Sequence, residues 1–293
     1  FCVVPFTRGR ERSRNPKSII AEAQDLFDKG YREVTLLGQN VDSYRWSEDP
    51  KVRGKKLIEL KDTDDVFNFA NLLEAVAQVS PLLRVRFSTS HPKDMLDDVL
   101  YVMAKYDNIC EYIHLPVQSG NSEVLNRMNR TYDRAWYMNR IDAIRKILPN
   151  TAISTDIITG FCGETEEQHK ETLSIMQEVK YEMAYMFFYS ERPGTLAAKR
   201  YEDDVLEVDK KRRLAEIIDL QREHSIARNK ADLGKTFEVL VEKYSKRSKD
   251  DLCGRNSQNK MIVFPKGDAT IGEYIQVKVT DYSQAILKGE IIA

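Results

Sequence analysis

Ala152-Ile153-Ser154-Thr155-Asp156-Ile157-Ile158 runs into Thr159-Gly160-Phe161-Cys162-Gly163-Glu164, and then into Thr165-Glu166-Glu167-Gln168. The first seven residues are apolar and β-branched enough for a buried strand. The glycine-bearing segment ends that strand, and Thr165 with Gln168 three residues later forms a capping box that starts a helix. Strand, polar loop, helix is therefore the unit, and the chain repeats it on both sides. Upstream, strand Arg84–Ser88 leads into Ser90-His91-Pro92 and a helix through Met95, Val99 and Met103. Strand Glu111–Leu115 leads into Pro116-Val117-Gln118-Ser119-Gly120 and two helices across 121–148. Downstream, strand Met183–Tyr189 ends at Ser190-Glu191-Arg192-Pro193-Gly194-Thr195.

Nearer the first residue, Asn15 can cap a helix, Pro16 suits its first position and Gly30 stops it. Ile19, Ile20, Ala23, Leu26 and Phe27 make its apolar stripe. Glu33–Leu37 then reads as a buried strand ending at Gly38-Gln39-Asn40. Residues 44–66 are charged and patternless, as a surface insertion would be, and helical spacing resumes with Leu72, Leu73, Val76 and Val79. Five strands with helices between them predict a parallel α/β barrel, closed or open. Such folds build their sites from the loops at the carboxyl ends of the strands, where every distinctive motif here lies.

The pattern changes near residue 232. A long charged helix over about 203–231 has Leu214, Ile217 and Ile218 as its strong apolar set, and reads as a bridge. After Gly234 the period becomes two: Phe237, Val239 and Val241; Met261 and Val263; Ile275, Val277 and Val279; Ile286, Gly289 and Ile291. This predicts a small antiparallel β-barrel of about 60 residues, the size of oligonucleotide-binding barrels. Two domains follow, 1–231 and 232–293.

Composition narrows the function classes. The chain has 293 residues, 42% hydrophobic and 31% charged, with a net charge of -1. No global field pulls it onto a polyanion, so nucleic-acid affinity must come from local clusters. One such cluster is Arg8, Arg10, Arg12, Arg14 and Lys17 against Glu11 alone. Four cysteines (Cys2, Cys110, Cys162, Cys253), none in a C-x-x-C, do not make a disulfide framework, and point to a reducing, cytoplasmic setting. No apolar stretch approaches the ~18 residues that a membrane span needs. Cys110, Cys162 and Cys253 read as packing residues. His91 and His114 sit at strand-end turns without a carboxylate or cysteine at ligand spacing, so structural hydrogen bonding is the simpler role; His169 and His224 read as surface residues of helices.

The motifs resemble those of the radical S-adenosylmethionine (SAM) tRNA methylthiotransferases, in the same order along nearly the whole chain. They are Cys2-Val-Val-Pro-Phe-Thr-Arg-Gly-Arg-Glu-Arg-Ser-Arg14, Leu36-Leu-Gly-Gln-Asn-Val41, Phe87-Ser-Thr-Ser-His-Pro92, His114-Leu-Pro-Val-Gln-Ser-Gly120, Arg127-Met-Asn-Arg130, Asp156-Ile-Ile-Thr-Gly-Phe-Cys-Gly-Glu-Thr165 and Tyr189-Ser-Glu-Arg-Pro-Gly-Thr195. Cys162 stands where related sequences often have proline. Gly-Gln-Asn, His-Leu-Pro-Val-Gln-Ser-Gly and Arg-Pro-Gly-Thr are most similar to the members that make 2-methylthio-N6-isopentenyladenosine beside the anticodon. The fold class implied is α/β: a radical SAM partial (β/α)6 barrel, followed by a small antiparallel β-barrel of the TRAM, oligonucleotide-binding-like kind.

The resemblance implies that Cys2 is the last of three ligands of a SAM-binding 4Fe-4S cluster. The other two cysteines would precede Phe1, as would an N-terminal domain holding a second 4Fe-4S cluster. Gly38, Gln39 and Asn40 are implied to meet the SAM amino group; Ser88, Ser90, Gln118 and Asp156 its carboxylate or ribose; Ile158 and Gly160 its adenine. A charged cofactor buried from water needs such donors and acceptors. Arg8, Arg10, Arg12, Arg14, Arg127, Arg130, Tyr189 and Arg192 are candidates for substrate and phosphate contact, as Arg donors can bind two phosphate oxygens. In the C-terminal barrel Lys243, Arg255 and Asn256, with Lys246, Arg247 and Lys260, flank Phe264. The implied activity is radical insertion of a methylthio group at C2 of N6-isopentenyladenosine at tRNA position 37. Its partners would be the tRNA anticodon stem-loop and an electron donor, with the enzyme a monomer. The alternatives are the same chemistry on N6-threonylcarbamoyladenosine tRNA or a ribosomal-protein aspartate and, from another class, a non-catalytic RNA-binding protein.

Overall fold

A computed structural model describes residues 9, 12–53, 65–88 and 90–292. They belong to two compact units, Arg10–Cys110 and a second that comprises Glu111–Ala293.

In the first unit, α1 (Pro16–Asp28) has Asn15 accepting from the Lys17 amide and Pro16 at its start, as its sequence predicts. Gly30 follows at φ 93°, a conformation that only glycine adopts without strain. Then come β1 (Glu33–Leu37), β2 (Arg45–Trp46), β3 (Phe67–Asn68), α2 (Phe69–Ala77), β4 (Arg84–Ser88) and α3 (Asp97–Lys105). β1 and β4 pair in parallel, Glu33 opposite Arg84 through Leu37 opposite Ser88. β1 is not the buried strand that was expected. Leu37 is 72% exposed, because β4 is the one neighbour of β1 among the described residues. The 44–66 segment is also less patternless than its composition suggests, since Arg45 and Trp46 pair antiparallel with Asn68 and Phe67. Its stretch 54–64 lies outside the described residues.

The second unit continues with β5 (Tyr112–His114), α4 (Ser122–Arg127), α5 (Arg134–Ile147), β6 (Ala152–Thr159), α6 (Glu166–Val179), β7 (Met183–Phe188), α7 (Leu196–Arg200) and α8 (Glu207–Lys230). β5, β6 and β7 form a parallel sheet in that order. The capping box of α6 forms as predicted, with Thr165 and Gln168 each serving the other's backbone. α8 is not a free bridge. It packs on β7, and of its three expected apolar anchors only Ile217 is fully buried. Lys210, Arg213, Gln221 and Asn229 are buried beside it. A polar helix can be buried this way when each head group finds a partner, as Gln221 does on the Tyr181 carbonyl (3.0 Å).

Five strands close the terminal barrel: β8 (Thr236–Tyr244), β9 (Asp251–Arg255), β10 (Met261–Pro265), β11 (Tyr274–Tyr282) and β12 (Leu287–Ile291), in spatial order β10-β12-β11-β8-β9. Periodicity alone missed β9, whose Gly254 and Cys253 weaken the signal. It also set β10 one residue out of phase. Ile262 and Phe264 face the core, while Met261 and Val263 do not. A one-residue slip exchanges the faces of a strand, and here it moves Phe264 from the surface to the centre of the barrel. The barrel is tied to the rest of its unit by polar bonds: the Glu111 amide to Ser257 Oγ (2.8 Å), Gln258 Nε2 to the Asn150 carbonyl (2.6 Å) and Asn229 Nδ2 to the Ser283 carbonyl (2.9 Å).

Gly254 lets β9 approach β8: a Cβ there would overlap the backbone carbonyl of Leu240, which cannot swing away. Gly272, at φ 94°, has open space around it. Gly254→Ala should therefore cost about 3 kcal/mol or more by overpacking. Gly272→Ala should cost only about 1 kcal/mol of backbone strain. Urea titrations of the two variants check the difference, and equal losses would contradict this packing.

Candidate functional site

Each unit carries part of the predicted site at its strand ends. In the first unit, Gly38 and Gln39 are exposed on the loop after β1. Asn40 is half-buried, and its Nδ2 donates to Asp94 Oδ2 (2.6 Å), which fixes its amide orientation. That leaves Asn40 Oδ1 buried with no hydrogen-bond partner among the described residues. Ser90 is buried, and its hydroxyl donates to Asp42 Oδ1 (3.3 Å). Asp42 Oδ2 is likewise unpartnered. Burial pushes the Asp42 carboxyl up to about 7, opposed by the Ser90 bond and reinforced by nearby Asp94. Ser88 ends the face of β4 that also carries Arg84 and Arg86, whose guanidinium groups converge on Glu33 of β1 (3.9 and 2.9 Å). Sequence reasoning missed Asp42 and Asp94. Their only signal was a carboxylate five or six residues beyond a strand end.

In the second unit, β6 separates two faces. Ile153, Thr155, Ile157 and Thr159 are buried on one. The other presents Ser154, Asp156 and Ile158, with Tyr112 and His114 of β5 beside them and exposed Tyr185 and Phe187 of β7 opposite Asp156 and Ile158. Gln118 joins this face in an unusual way. At φ 68° it is left-handed, a conformation that costs a non-glycine residue roughly 1 kcal/mol or more. In return its amide donates to the Asp156 carbonyl (2.8 Å) and its carbonyl accepts from the Ile158 amide (2.9 Å). The loop thus adds a rung to the sheet, and Gln118, Asp156 and Ile158 are brought together. Thr155 secures the same loop, its Oγ1 accepting from the Val117 amide (2.9 Å) and donating to the Leu115 carbonyl (2.9 Å).

Gly160, at φ 65°, is needed for a different neighbour than the one expected. A Cβ there would overlap the side chain of Lys210, so the close approach it admits is that of α8. Its amide donates to Glu164 Oε2 (2.5 Å), and Arg213 Nη1 holds Glu164 through both its carbonyl (2.9 Å) and Oε2 (3.2 Å). Burial pushes the Glu164 carboxyl above its ordinary range. Lys210 pairs with Asp203. This loop is braced from the helix side, with Phe161 and Cys162 in an apolar cluster with Val124, Met128, Tyr189 and Ala197.

Several predicted substrate contacts lie elsewhere than expected. Tyr189 is buried, its ring 4.8 Å from that of Phe161 and its hydroxyl beside the Cys162 thiol. Arg127 Nη2 is committed to the Gly163 carbonyl (3.2 Å) and Gln168 Oε1 (2.9 Å). Arg130 is half-buried, whereas Arg12, Arg14 and Arg192 are exposed, Arg14 pairing with Glu22 (2.8 Å). Arg255 binds Glu242 across the strands (2.7 Å), and Asn256 is buried, accepting from the Lys260 amide (2.9 Å). Phe264 is in the core. The exposed aromatic of the barrel is Tyr244, with Lys266 Nζ 5.4 Å from its ring centre and exposed Lys243, Lys246 and Arg247 close in sequence. Cys2, Arg8 and Arg10 lie outside the described residues. His169 is not a surface residue. It is fully buried, with Nε2 2.8 Å from Glu216 Oε2.

The residues present fit SAM. Within the first unit the unpaired acceptors Asn40 Oδ1 and Asp42 Oδ2 suit an ammonium group; within the second, taken by itself, the partly exposed Asp156 suits ribose hydroxyls, and Ile158 with Phe187 offers apolar surface to a base. No group of three or more His, Cys, Asp and Glu that could hold a metal occurs among the described residues. No described helix is long and apolar enough to cross a membrane. A carboxyl whose folded-state value is raised stabilises the fold fully below the unfolded value near 4 and loses that stability as pH rises toward 7. Asp42→Asn should remove this loss and raise stability at pH 8 by up to about 4 kcal/mol, from roughly 1.4 kcal/mol per pH unit. Urea unfolding at pH 5 and pH 8 checks it. A variant with the parent's pH slope would contradict the buried carboxyl.

Residues 1–176 match the model of the radical SAM superfamily, and residues 230–292 that of the TRAM domain. A protein of Amoebophilus asiaticus named tRNA-2-methylthio-N(6)-dimethylallyladenosine synthase is 60% identical over 99% of this chain and 60% of its own length. A Flavobacterium johnsoniae protein of the same name is 53% identical over 100% of this chain and 61% of its own. The chain thus spans about three fifths of the length of these curated relatives. Among solved structures, coproporphyrinogen III oxidase of Escherichia coli aligns over 84% of this chain and 61% of its own, at 14% identity and a TM-score of 0.48. With the superfamily model covering more than half of its residues, the chain belongs to the radical SAM superfamily.

Proposed function

We propose that this chain is the SAM-binding and RNA-binding portion of a tRNA methylthiotransferase that modifies C2 of N6-isopentenyladenosine at tRNA position 37. The observation that carries the reading is 60% identity, over nearly the whole chain, to a protein named for the synthesis of that nucleoside. Threonylcarbamoyladenosine tRNA and a ribosomal-protein aspartate are the alternative targets of the same chemistry. The TRAM match at 230–292 favours an RNA partner, taken here to be the anticodon stem-loop. We place the enzyme in the cytoplasm as a monomer served by an external electron donor.

When bound, SAM and a reduced 4Fe-4S cluster supply homolytic removal of a carbon-bound hydrogen, which C2 requires because it offers neither an acidic proton nor a leaving group. Cys2 is assigned one iron of that cluster. A second cluster, held by residues outside this chain, is assigned the sulfur. Asn40 and Asp42 offer acceptors to the ammonium end of SAM. Gln118 and Asp156 are assigned to its ribose or carboxylate, as are Ser88 and Ser90, which end β4 and follow it in the first unit. Ile158 provides an apolar flank for adenine, and Gly160 lets α8 close the loop behind it. The chain's task is to aim the cofactor and exclude water. Arg8, Arg10, Arg12, Arg14, Arg192 and Lys243 are assigned to phosphates, and Tyr244 to base stacking.

Cys2→Ala in the complete protein should remove the SAM-binding cluster, seen as lost iron and a lost electron paramagnetic resonance signal. The tRNA of cells carrying it should lack the methylthio group. Methylthioadenosine that persists in a deletion strain would contradict the assignment. Tyr244→Ala should weaken tRNA binding by about 1–3 kcal/mol, the value of one base–aromatic stack, with little change in salt dependence. Lys243→Ala should instead reduce the slope of log K against log salt by about 1. Filter binding across a salt series separates them, and unchanged binding in both variants would remove the barrel from the RNA interface.

A further inference from the structure

On the face of the β5–β6–β7 sheet that carries Asp156, four side chains make a continuous polar line. Tyr112 OH lies 2.6 Å from Ser154 Oγ, Ser154 Oγ lies 2.8 Å from His114 Nδ1, and His114 Nε2 lies 3.3 Å from Asp156 Oδ1. Ser154 is fully buried, and the His114 side chain is 11% exposed against 31% for Asp156. Register holds the arrangement, since His114 is directly opposite Ser154 and Asp156 directly opposite Tyr185. The Tyr185 ring presses edgewise on the imidazole, with centroids 5.7 Å apart at 79°, and limits its rotation.

The contacts along this line admit one donor direction that satisfies every group. A carboxylate only accepts, so the imidazole nitrogen facing Asp156 is the one that carries the proton. Nδ1 of the neutral ring is then bare and accepts from the Ser154 hydroxyl. With its hydrogen spent, Ser154 Oγ accepts from the Tyr112 hydroxyl. Each group orders the next, and the line ends on a carboxylate that is open to solvent.

We propose that His114 is a positioning residue: through a one-way donor line from Tyr112 and Ser154 it holds Asp156 in a single orientation, with one oxygen on the imidazole and the other presented to a ligand hydroxyl pair. This rests on the assignment of Asp156 to the ribose of SAM. It gives His114 more than the purely structural role suggested by its sequence context. The 3.3 Å separation from Asp156 is long for a hydrogen bond, so the link is chiefly electrostatic and sensitive to which nitrogen bears the proton.

The test has two arms. In the full chain labelled with 15N-histidine, the His114 signals, identified by their loss in His114→Gln, should show a protonated Nε2 and a bare Nδ1 at neutral pH. The opposite tautomer would overturn the proposal without any variant having to fold. In the complete reconstituted protein, SAM affinity is measured under anaerobic conditions. Asp156→Asn and His114→Asn should each weaken it about tenfold, roughly the value of one hydrogen bond to a charged group. His114→Gln, whose amide nitrogen stands where Nε2 did, should stay within about threefold of the parent. Unchanged affinity in Asp156→Asn would sink the ribose assignment and the proposal with it. Weakened affinity in Asp156→Asn with none in His114→Asn would overturn the positioning role alone.

Discussion

Two main-chain hydrogen bonds hold the candidate residues of the second unit together: the Gln118 amide to the Asp156 carbonyl and the Ile158 amide to the Gln118 carbonyl. They turn the loop after β5 into a rung of β6. Without them Gln118 would have no reason to accept a left-handed backbone. With them, a carboxylate, an amide and an apolar side chain leave the sheet at fixed spacing. Tyr132 and Thr155 support the loop from below, through the Pro116 carbonyl (2.9 Å) and the Val117 amide (2.9 Å). Preorganisation of this kind lets binding energy go into the ligand rather than into ordering the loop.

The neighbouring loop is held by burial of charge. Glu164, Arg213 and Lys210 are almost fully enclosed, and their partners are the Gly160 amide, the Glu164 carbonyl and Asp203. Buried ion pairs contribute little net stability, because desolvation offsets the attraction. Removing one partner would strand the other as an unpaired buried charge, which opposes rearrangement of the loop. The same logic applies to Arg84, Arg86 and Glu33 on the β1–β4 sheet. Beyond the end of β1, Asn40 Oδ1 and Asp42 Oδ2 are acceptors that stay unpaired among the described residues.

Much of this was legible in the residues. Caps and punctuation placed α1, and the Thr165–Gln168 box placed α6, because local backbone chemistry acts within four residues. Strand-end motifs marked Asn40 and Gln118 as residues beyond the carboxyl ends of their strands, whereas Asp156, expected at a strand end, lies inside its strand three residues before the last. What escaped was set by partners distant in sequence. Tyr189 read as a candidate for substrate contact, but it is buried in the cluster with Phe161 and Cys162. Gly160 read as room for a ligand, but α8 fills that space with Lys210, 50 positions along the chain. β10 was misread by one residue because Met261 to Phe264 are all apolar, and alternation cannot choose a face in such a run. The role of His114 depends on Ser154 across the sheet, which no spacing in the sequence encodes.

The stitching of Gln118 onto β6 is tested most directly by amide hydrogen exchange at Ile158. If the bond to the Gln118 carbonyl holds, that amide should exchange as slowly as those inside the β6–β7 ladder, through cooperative opening of the sheet. Exchange of the Ile158 amide at the rate of an exposed loop, with the ladder amides still protected, would contradict the account.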